Sequence, residues 1–154
     1  MTDDNAAIAR GIIDANRYMV LGTADEAGLP WVTPVWFAPN GYREFFWVSD
    51  PQRRHSWNLA VRPQVSIVIF DSTVPISTGQ AVYMSAVAEQ LGATGLVDGI
   101  RVFSARSEEH GARPWTLEDV TAPARHRLYR AVASEHFVLG EQDERLPVSP
   151  SALP

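Results

Sequence analysis

The stretch with the most potential for chemistry is Asp50-Pro-Gln-Arg-Arg-His-Ser-Trp-Asn58. Asp at an N-cap with Pro at the first helical position announces a helix, and Arg62-Pro63 ends it. Arg53, Arg54 and His55 then stand in or near its first turn, where the helix dipole favours negative charge by about 0.3–1 kcal/mol per group. Three basic groups at the wrong pole need an explanation. A bound phosphate is one: free N–H groups, the dipole and two guanidinium forks together make an anion cradle. The alternative is that the arginines turn away and pair with carboxylates such as Asp50 or Glu44, since charge runs are commonly solvated faces.

Upstream lies Trp31-Val-Thr-Pro-Val-Trp-Phe37, just before the hairpin that delivers its partner strand to this cradle. Pro34 cannot donate a ladder hydrogen bond, so it marks an edge, a bulge or an opening of the sheet. Flat side chains and free backbone groups beside a phosphate site suit a planar heterocycle with a phosphate tail. Trp31, Trp36 and Trp47 are equally readable as core or dimer-interface aromatics.

The elements that must position these residues follow from pattern. Asp3, Asp4 and Asn5 offer caps for a helix over about residues 4–17, with Ile8, Ile12 and Ala15 at helical spacing. Strands are predicted over Tyr18–Ala24, Trp31–Phe37 and Arg43–Ser49, with Asn40-Gly41 as a hairpin turn between the last two. Val65–Phe70 and Ala81–Leu91 follow as strands, the second with small residues at Ser85, Ala86 and Ala88 suited to the interior of a closed sheet. Gly92-Ala-Thr-Gly95 leads to a helix with Leu96, Ile100 and Phe103 on one face. Residues 108–124 are irregular, with one helical turn capped at Thr116-Leu-Glu-Asp119, and Arg127–Leu139 is the last strand. Six short strands with few helices between them predict a mainly β domain, an antiparallel barrel with flanking helices, over residues 1–140. Residues 141–154, with three prolines and four charges, are expected to form a loose, flexible C-terminal tail.

Composition narrows the function classes. The 154 residues contain no cysteine, which excludes disulfides, thiolate metal sites and cysteine nucleophiles. All thirteen basic residues are arginine and the net charge is −5, which argues against nonspecific nucleic-acid binding. No apolar run approaches the roughly 20 residues of a membrane span. The acidic Met1-Thr-Asp-Asp-Asn5 start lacks the layout of a signal peptide, so a cytoplasmic protein is expected.

Other motifs carry less. Thr94-Gly-Leu-Val-Asp-Gly-Ile100 imitates a dinucleotide-binding glycine turn but lacks its last glycine, and only 54 residues follow it. His55, His110, His126 and His136 show no metal-ligand spacing, so no metal is expected.

In order and spacing, several segments resemble the pyridoxamine 5′-phosphate oxidase-like family. They are the Gly28-Leu-Pro30 turn, Thr33-Pro-Val-Trp-Phe37, the Asn-Gly hairpin, Phe46-Trp-Val-Ser49, the Arg-Arg-His-Ser-Trp-Asn-Leu59 helix and Arg62-Pro-Gln-Val-Ser-Ile67. Ala86–Leu91 and Arg127–Arg130 resemble that family's fifth and last strands, so the likeness covers about residues 15–140.

The resemblance implies a six-stranded split β-barrel, a homodimer with FMN at the subunit interface. The flavin ring is expected along Thr33, Pro34, Val35 and Trp36, with Val48 and Ser49 at the ribityl–phosphate part. Arg54 and His55 match a basic pair that grips the phosphate, with Arg53 beside them and Asn58 on the same helix. Gln80 falls within one residue of a flavin-contacting position. His55 replaces the usual Lys or Arg, which would make part of the phosphate charge pH-dependent near pH 6.5.

The C-terminal Arg and Trp motif of true pyridoxamine phosphate oxidases is missing from Val138–Pro154, so vitamin B6 oxidation is not the expected reaction. The implied activity is hydride transfer at the flavin, between a nicotinamide and a small-molecule substrate, with no catalytic side chain. The alternatives are a reductase using the deazaflavin coenzyme and a non-catalytic flavin carrier. Haem binding also occurs among split barrels, but no histidine here has a clear ligand context.

Overall fold

A computed structural model describes residues 2–154, with the side chains of Thr2 and Asp3 outside that description. Alternation of apolar and polar residues along the strand segments builds one curled antiparallel sheet. Its strands are β1 (Tyr18–Ala24), β2 (Pro30–Trp36), β3 (Ala38–Asn40), β4 (Glu44–Ser49), β5 (Gln64–Phe70), β6 (Ala81–Gln90), β7 (Arg127–Leu139) and β8 (Arg145–Val148). The helices are α1 (Thr2–Ala15), α2 (Arg54–Val61) and α3 (Ala93–Glu109). The sheet runs β2-β1-β5-β6-β7-β4-β3, with β8 also paired to β7. Its two ends, β2 and β3, are consecutive in the chain and separated only by Phe37, whose N–H donates to the Arg17 carbonyl. The sheet therefore curls until its ends meet through the backbone and not through a ladder, the half-barrel geometry of a split barrel.

Two strands exceed the six expected. The short β3 pairs with β4 across the predicted Asn40-Gly41 turn, where Gly41 has φ +62°. Strand β8 comes from the segment expected to be a loose tail. Arg145–Leu139 through Val148–His136 pair with β7, and Val148 and Leu153 are buried in the core. Those two apolar side chains outweigh the prolines and charges around them, because β7 offers an otherwise unpaired edge beyond the end of β4.

The interior core joins both inner sheet faces to α1, with Phe45, Trp47, Tyr129 and Met84 among its members. Trp47 and Tyr129 stack with ring centroids 5.7 Å apart. The predicted face of α1 is rotated: Ala6, Ala9 and Ile13 are buried, while Ile8 and Ile12 are half-buried and Ala15 is exposed. Small side chains allow the helix closer to the sheet than isoleucines would. A second cluster forms on the outer face of β4 and β7, where α3 covers Phe46 and Leu128 with Ile100 and Phe103. Gly99 makes that approach possible, since a Cβ there would lie 2.9 Å from Leu128 and 3.0 Å from Phe46 and Leu91. Strand β4 thus sends Phe45 and Trp47 inward and Phe46 and Val48 toward α3, the period-2 alternation of a strand covered on both sides.

The start of α2 also differs from expectation. Asp50 is not its N-cap; it forms a turn in which its carboxylate accepts the Gln52 N–H at 2.8 Å. The first helical residue is Arg54, with Arg53 at the cap position. Asp, like Asn, competes for nearby backbone donors in this way and so builds a turn just ahead of the helix.

Candidate functional site

A cleft of about 630 Å³ lies between the barrel and α3. Its barrel wall is Pro34, Val35 and Trp36 of β2, Val48 and Ser49 of β4, and His55 of α2. These are six of the eleven residues the sequence singled out. Proline at position 34 is tolerated because β2 is a terminal strand of the sheet.

The other five lie elsewhere. Thr33 stands outside the lining, one residue before Pro34. Asn58 is buried and donates to Thr23 Oγ1 at 3.1 Å, tying α2 to β1. Gln80 lies beside Ala7, Ile8 and Gly11 of α1, in a separate hollow. Arg53 turns back to the Asp50 carboxylate at 3.4 Å, and Arg54 lies over the Trp31 ring at 4.4 Å. Of the two readings of this basic run, Arg53 follows the pairing one, with Asp50 as its acceptor; Glu44 instead pairs with Arg130.

Asp50 organises this end. Besides Gln52 and Arg53 it holds Arg125 at 2.9 Å, and its backbone carbonyl accepts the Ser56 hydroxyl at 3.0 Å. The Gln52 N–H, then the Arg125 and Arg53 guanidiniums, hold its carboxyl below the ordinary carboxylate value. His55 is buried with Nε2 2.9 Å from Ser49 Oγ. Burial, followed by the charge on Arg53, pushes its pKa below the ordinary histidine value. Burial therefore disfavours a charge on His55 while the cleft holds no anion. The backbone N–H groups of Arg54, His55 and Ser56 have no acceptor among the described residues, as expected for a first helical turn.

The opposite wall was not foreseen. Phe103 and Ser107 of α3 and His110 at its C-cap line the cleft, followed by Ala112 and Trp115 from the segment predicted as irregular. That segment is pinned: the Ser107 hydroxyl donates to the Arg113 carbonyl at 2.7 Å, and the Trp115 N–H donates to Ser104 Oγ at 2.8 Å. The predicted turn after Thr116 is present as a 3₁₀ turn over Leu117–Val120 with the reciprocal Thr116–Asp119 cap. Trp36 meets Phe103 edge-on at 4.9 Å, and Phe103 meets Trp115 at 5.4 Å. Arg17, Tyr18 and His126 complete the rim. Three of the four histidines therefore line one cleft, brought together from α2, the end of α3 and the approach to β7. In the sequence this wall is signalled only by Phe103, on the apolar face of the predicted helix, and by Trp115, an aromatic in a largely polar run.

Among the described residues no Asp or Glu lines the cleft. Flat aromatic walls, a serine hydroxyl and cationic or neutral nitrogen groups fit a planar anionic molecule, and the volume lies within the usual 300–1,000 Å³ of ligand pockets. Among the described residues no group of three or more His, Asp or Glu has the arrangement of a metal site, and no helix is long and apolar enough to cross a membrane.

Comparison with known proteins agrees with the fold. A family model described as pyridoxamine 5′-phosphate oxidase matches residues 7–138, and the chain belongs to this pyridoxamine 5′-phosphate oxidase-like split-barrel family. No curated protein matches it. Among solved structures it is similar to a haem-binding protein from Mycobacterium smegmatis, with TM-score 0.73 and 18% identity, covering 96% of this chain and 58% of that one. It is also similar to the haem storage protein HutZ from Vibrio cholerae, with TM-score 0.68 and 21% identity, covering 86% and 92%. An F420 reductase aligns with TM-score 0.60 and 16% identity over 82% of this chain and 94% of that one. Identities this low speak for the fold alone.

Proposed function

We propose that the chain is a flavin-dependent oxidoreductase that holds FMN in the cleft between β2, β4 and α3. The observation that carries this reading is the convergence of Pro34, Val35, Trp36, Val48, Ser49 and His55 on one wall, beside the unbonded N–H groups of the first α2 turn. Trp36, fixed edge-on by Phe103, gives the ring a rigid flat flank and excludes water from it. Ser49 Oγ and the α2 N–H groups act on the anionic tail, with Arg53 and Arg54 able to reach it only by leaving Asp50 and Trp31. When bound, FMN supplies the hydride acceptance and donation, and the protein supplies orientation and electrostatics. A reduced nicotinamide and a small-molecule acceptor are the proposed reaction partners. The deazaflavin coenzyme F420 is the nearest alternative, supported by the structural likeness to an F420 reductase.

We further propose a homodimer. Val20, Val68, Tyr83 and Phe137 form one cross-strand row on the outer face of β1, β5, β6 and β7, and no helix covers it. Val32, 67% exposed, and Phe70, 46% exposed, extend this apolar face.

Haem binding is a second reading, favoured by the histidines of the cleft and above all by His110, whose Nδ1 is buried without a partner. Likeness to the M. smegmatis and V. cholerae haem proteins supports it. The test is the visible spectrum of the purified chain before and after adding FMN, F420 or haemin in turn. FMN at tens of micromolar is expected to bind with quenched fluorescence and to be reduced by a nicotinamide. A spectrum unchanged by FMN, with a Soret band on adding haemin that His110→Ala removes, overturns the flavin reading in favour of haem.

A further inference from the structure

The α3 side of the cleft holds two groups that the flavin reading leaves unused. Arg17, at the junction of α1 and β1, reaches the rim, and its guanidinium has no hydrogen-bond or ion-pair partner among the described residues. The neighbouring carboxylates are engaged elsewhere: Asp14 accepts from the Tyr42 hydroxyl at 3.0 Å, and Glu109 pairs with Arg106 at 3.6 Å. His110 lies beside Arg17 with a buried, unpartnered Nδ1, its ring edge-on to Trp36 at 5.7 Å. Arg17 and His110 both line this cleft, and neither the guanidinium nor the imidazole Nδ1 has a partner among the described residues, which is the chemistry of a missing acceptor.

The surroundings define the rest of the missing molecule. Trp36, Phe103 and Trp115 form a chain of edge-to-face rings along this wall. Arg113 clamps the last of them from behind, with its guanidinium 3.9 Å over the Trp115 ring and a 3.2 Å bond to Asp119. The wall is thus fixed before any ligand arrives, and it favours a flat ring over a puckered one.

We propose that Arg17 and His110 form the anion-binding end of a substrate subsite against α3, which takes a flat organic carboxylate. This rests on the reading of the cleft as a cofactor site, because it assigns the wall opposite β2 to the second reactant. The carboxylate bonds to the Arg17 fork and accepts a hydrogen bond from His110, while its ring lies against Phe103 and Trp115. The groups facing His110 are Arg17 from the α1–β1 junction and Arg106 and Glu109 from α3. Burial first, then Arg106 and Arg17, hold the His110 pKa below its ordinary value against the opposing pull of Glu109. A bound carboxylate offsets both arginines, so binding draws a proton onto the imidazole at neutral pH.

The test titrates the full chain, with and without FMN, with benzoate, with neutral benzamide and with puckered cyclohexanecarboxylate. Tryptophan emission and calorimetry in two buffers of different ionisation enthalpy are the readouts. Benzoate is expected to bind about tenfold or more tighter than either analogue and to take up protons at pH 7. Arg17→Gln is expected to abolish the preference over benzamide, and His110→Gln the proton uptake. Arg17 is exposed and unpartnered, so its variant should fold normally, which its far-UV spectrum checks. Equal affinity for benzoate and benzamide, or an unchanged preference in Arg17→Gln, overturns the proposal. FMN that fails to bind while the benzoate preference persists overturns the cofactor reading and leaves the anion end standing.

Discussion

The two ends of the cleft are built from similar residues to opposite effect. At the α2 end the cations are already engaged: Arg53 and Arg125 converge on Asp50, and Arg54 rests on Trp31. At the α3 end Arg17 and the His110 Nδ1 have no partner among the described residues. The conspicuous basic run, the feature a reader of the sequence notices first, is the better neutralised of the two. Arg17, in no motif, has neither a hydrogen-bond nor an ion-pair partner among the described residues. What decides is the position of the nearest carboxylate: Asp50 is buried within reach of two arginines, whereas Asp14 is turned toward Tyr42.

Three perturbations bear on that contrast, beginning with the largest. Phe103 links Trp36 to Trp115 and is buried, so Phe103→Ala is expected to destabilise the fold by about 3–5 kcal/mol. Urea denaturation measures the loss, and near-UV dichroism should show the α3 wall loosened while Trp47 on Tyr129 stays packed. If Phe103→Ala is neutral, the α3 wall is not the rigid partner described.

The second is pH. His55, His110 and His136 all have pKa values lowered in the folded state, each chiefly by burial. The unfolded chain binds protons more readily than the folded one below about pH 6.5. Stability is therefore complete above that pH and falls as acid carries each histidine through its depressed folded value, by at most about 1.4 kcal/mol per pH unit for each proton taken up. His136, whose Nε2 lies 2.7 Å from the Tyr42 carbonyl, belongs to neither end of the cleft. His136→Gln should flatten the curve without touching FMN affinity, whereas His55→Gln should change both.

The third and smallest effect concerns the α2 end alone. Asp50→Asn removes the carboxylate that competes for Arg53 and Arg125, and FMN affinity is expected to rise about fivefold. Fluorescence titration measures it, and a decrease would mean that Asp50 positions the site and does not compete with the ligand.

Most of the fold was legible because strand alternation and turn chemistry are local. Tyr18–Ala24 and Arg127–Leu139 have the predicted limits, and Asn40-Gly41 turns where its residue types require. What escaped was decided by distant partners. Asp50 looked like a helix cap, but its carboxylate is taken by Gln52, Arg53 and Arg125, the last 75 residues away. Val148 and Leu153 looked like part of a tail because their burial depends on the free edge of β7 and on α1. In the site, the barrel wall could be read because its residues lie close together in the chain, on β2, β4 and the helix that follows. The α3 wall could not, since nothing local ties His110 or Trp115 to Trp36.

One consequence follows from β7, which borders β6 along one edge and both β4 and β8 along the other. A nascent chain emerging from the ribosome has β6 and β4 made long before residue 127 is available, so each presents a bare rim in the meantime. The seam of the barrel is sewn last, by its longest thread, and that interval of synthesis is when the chain is most open to mispairing with a neighbour.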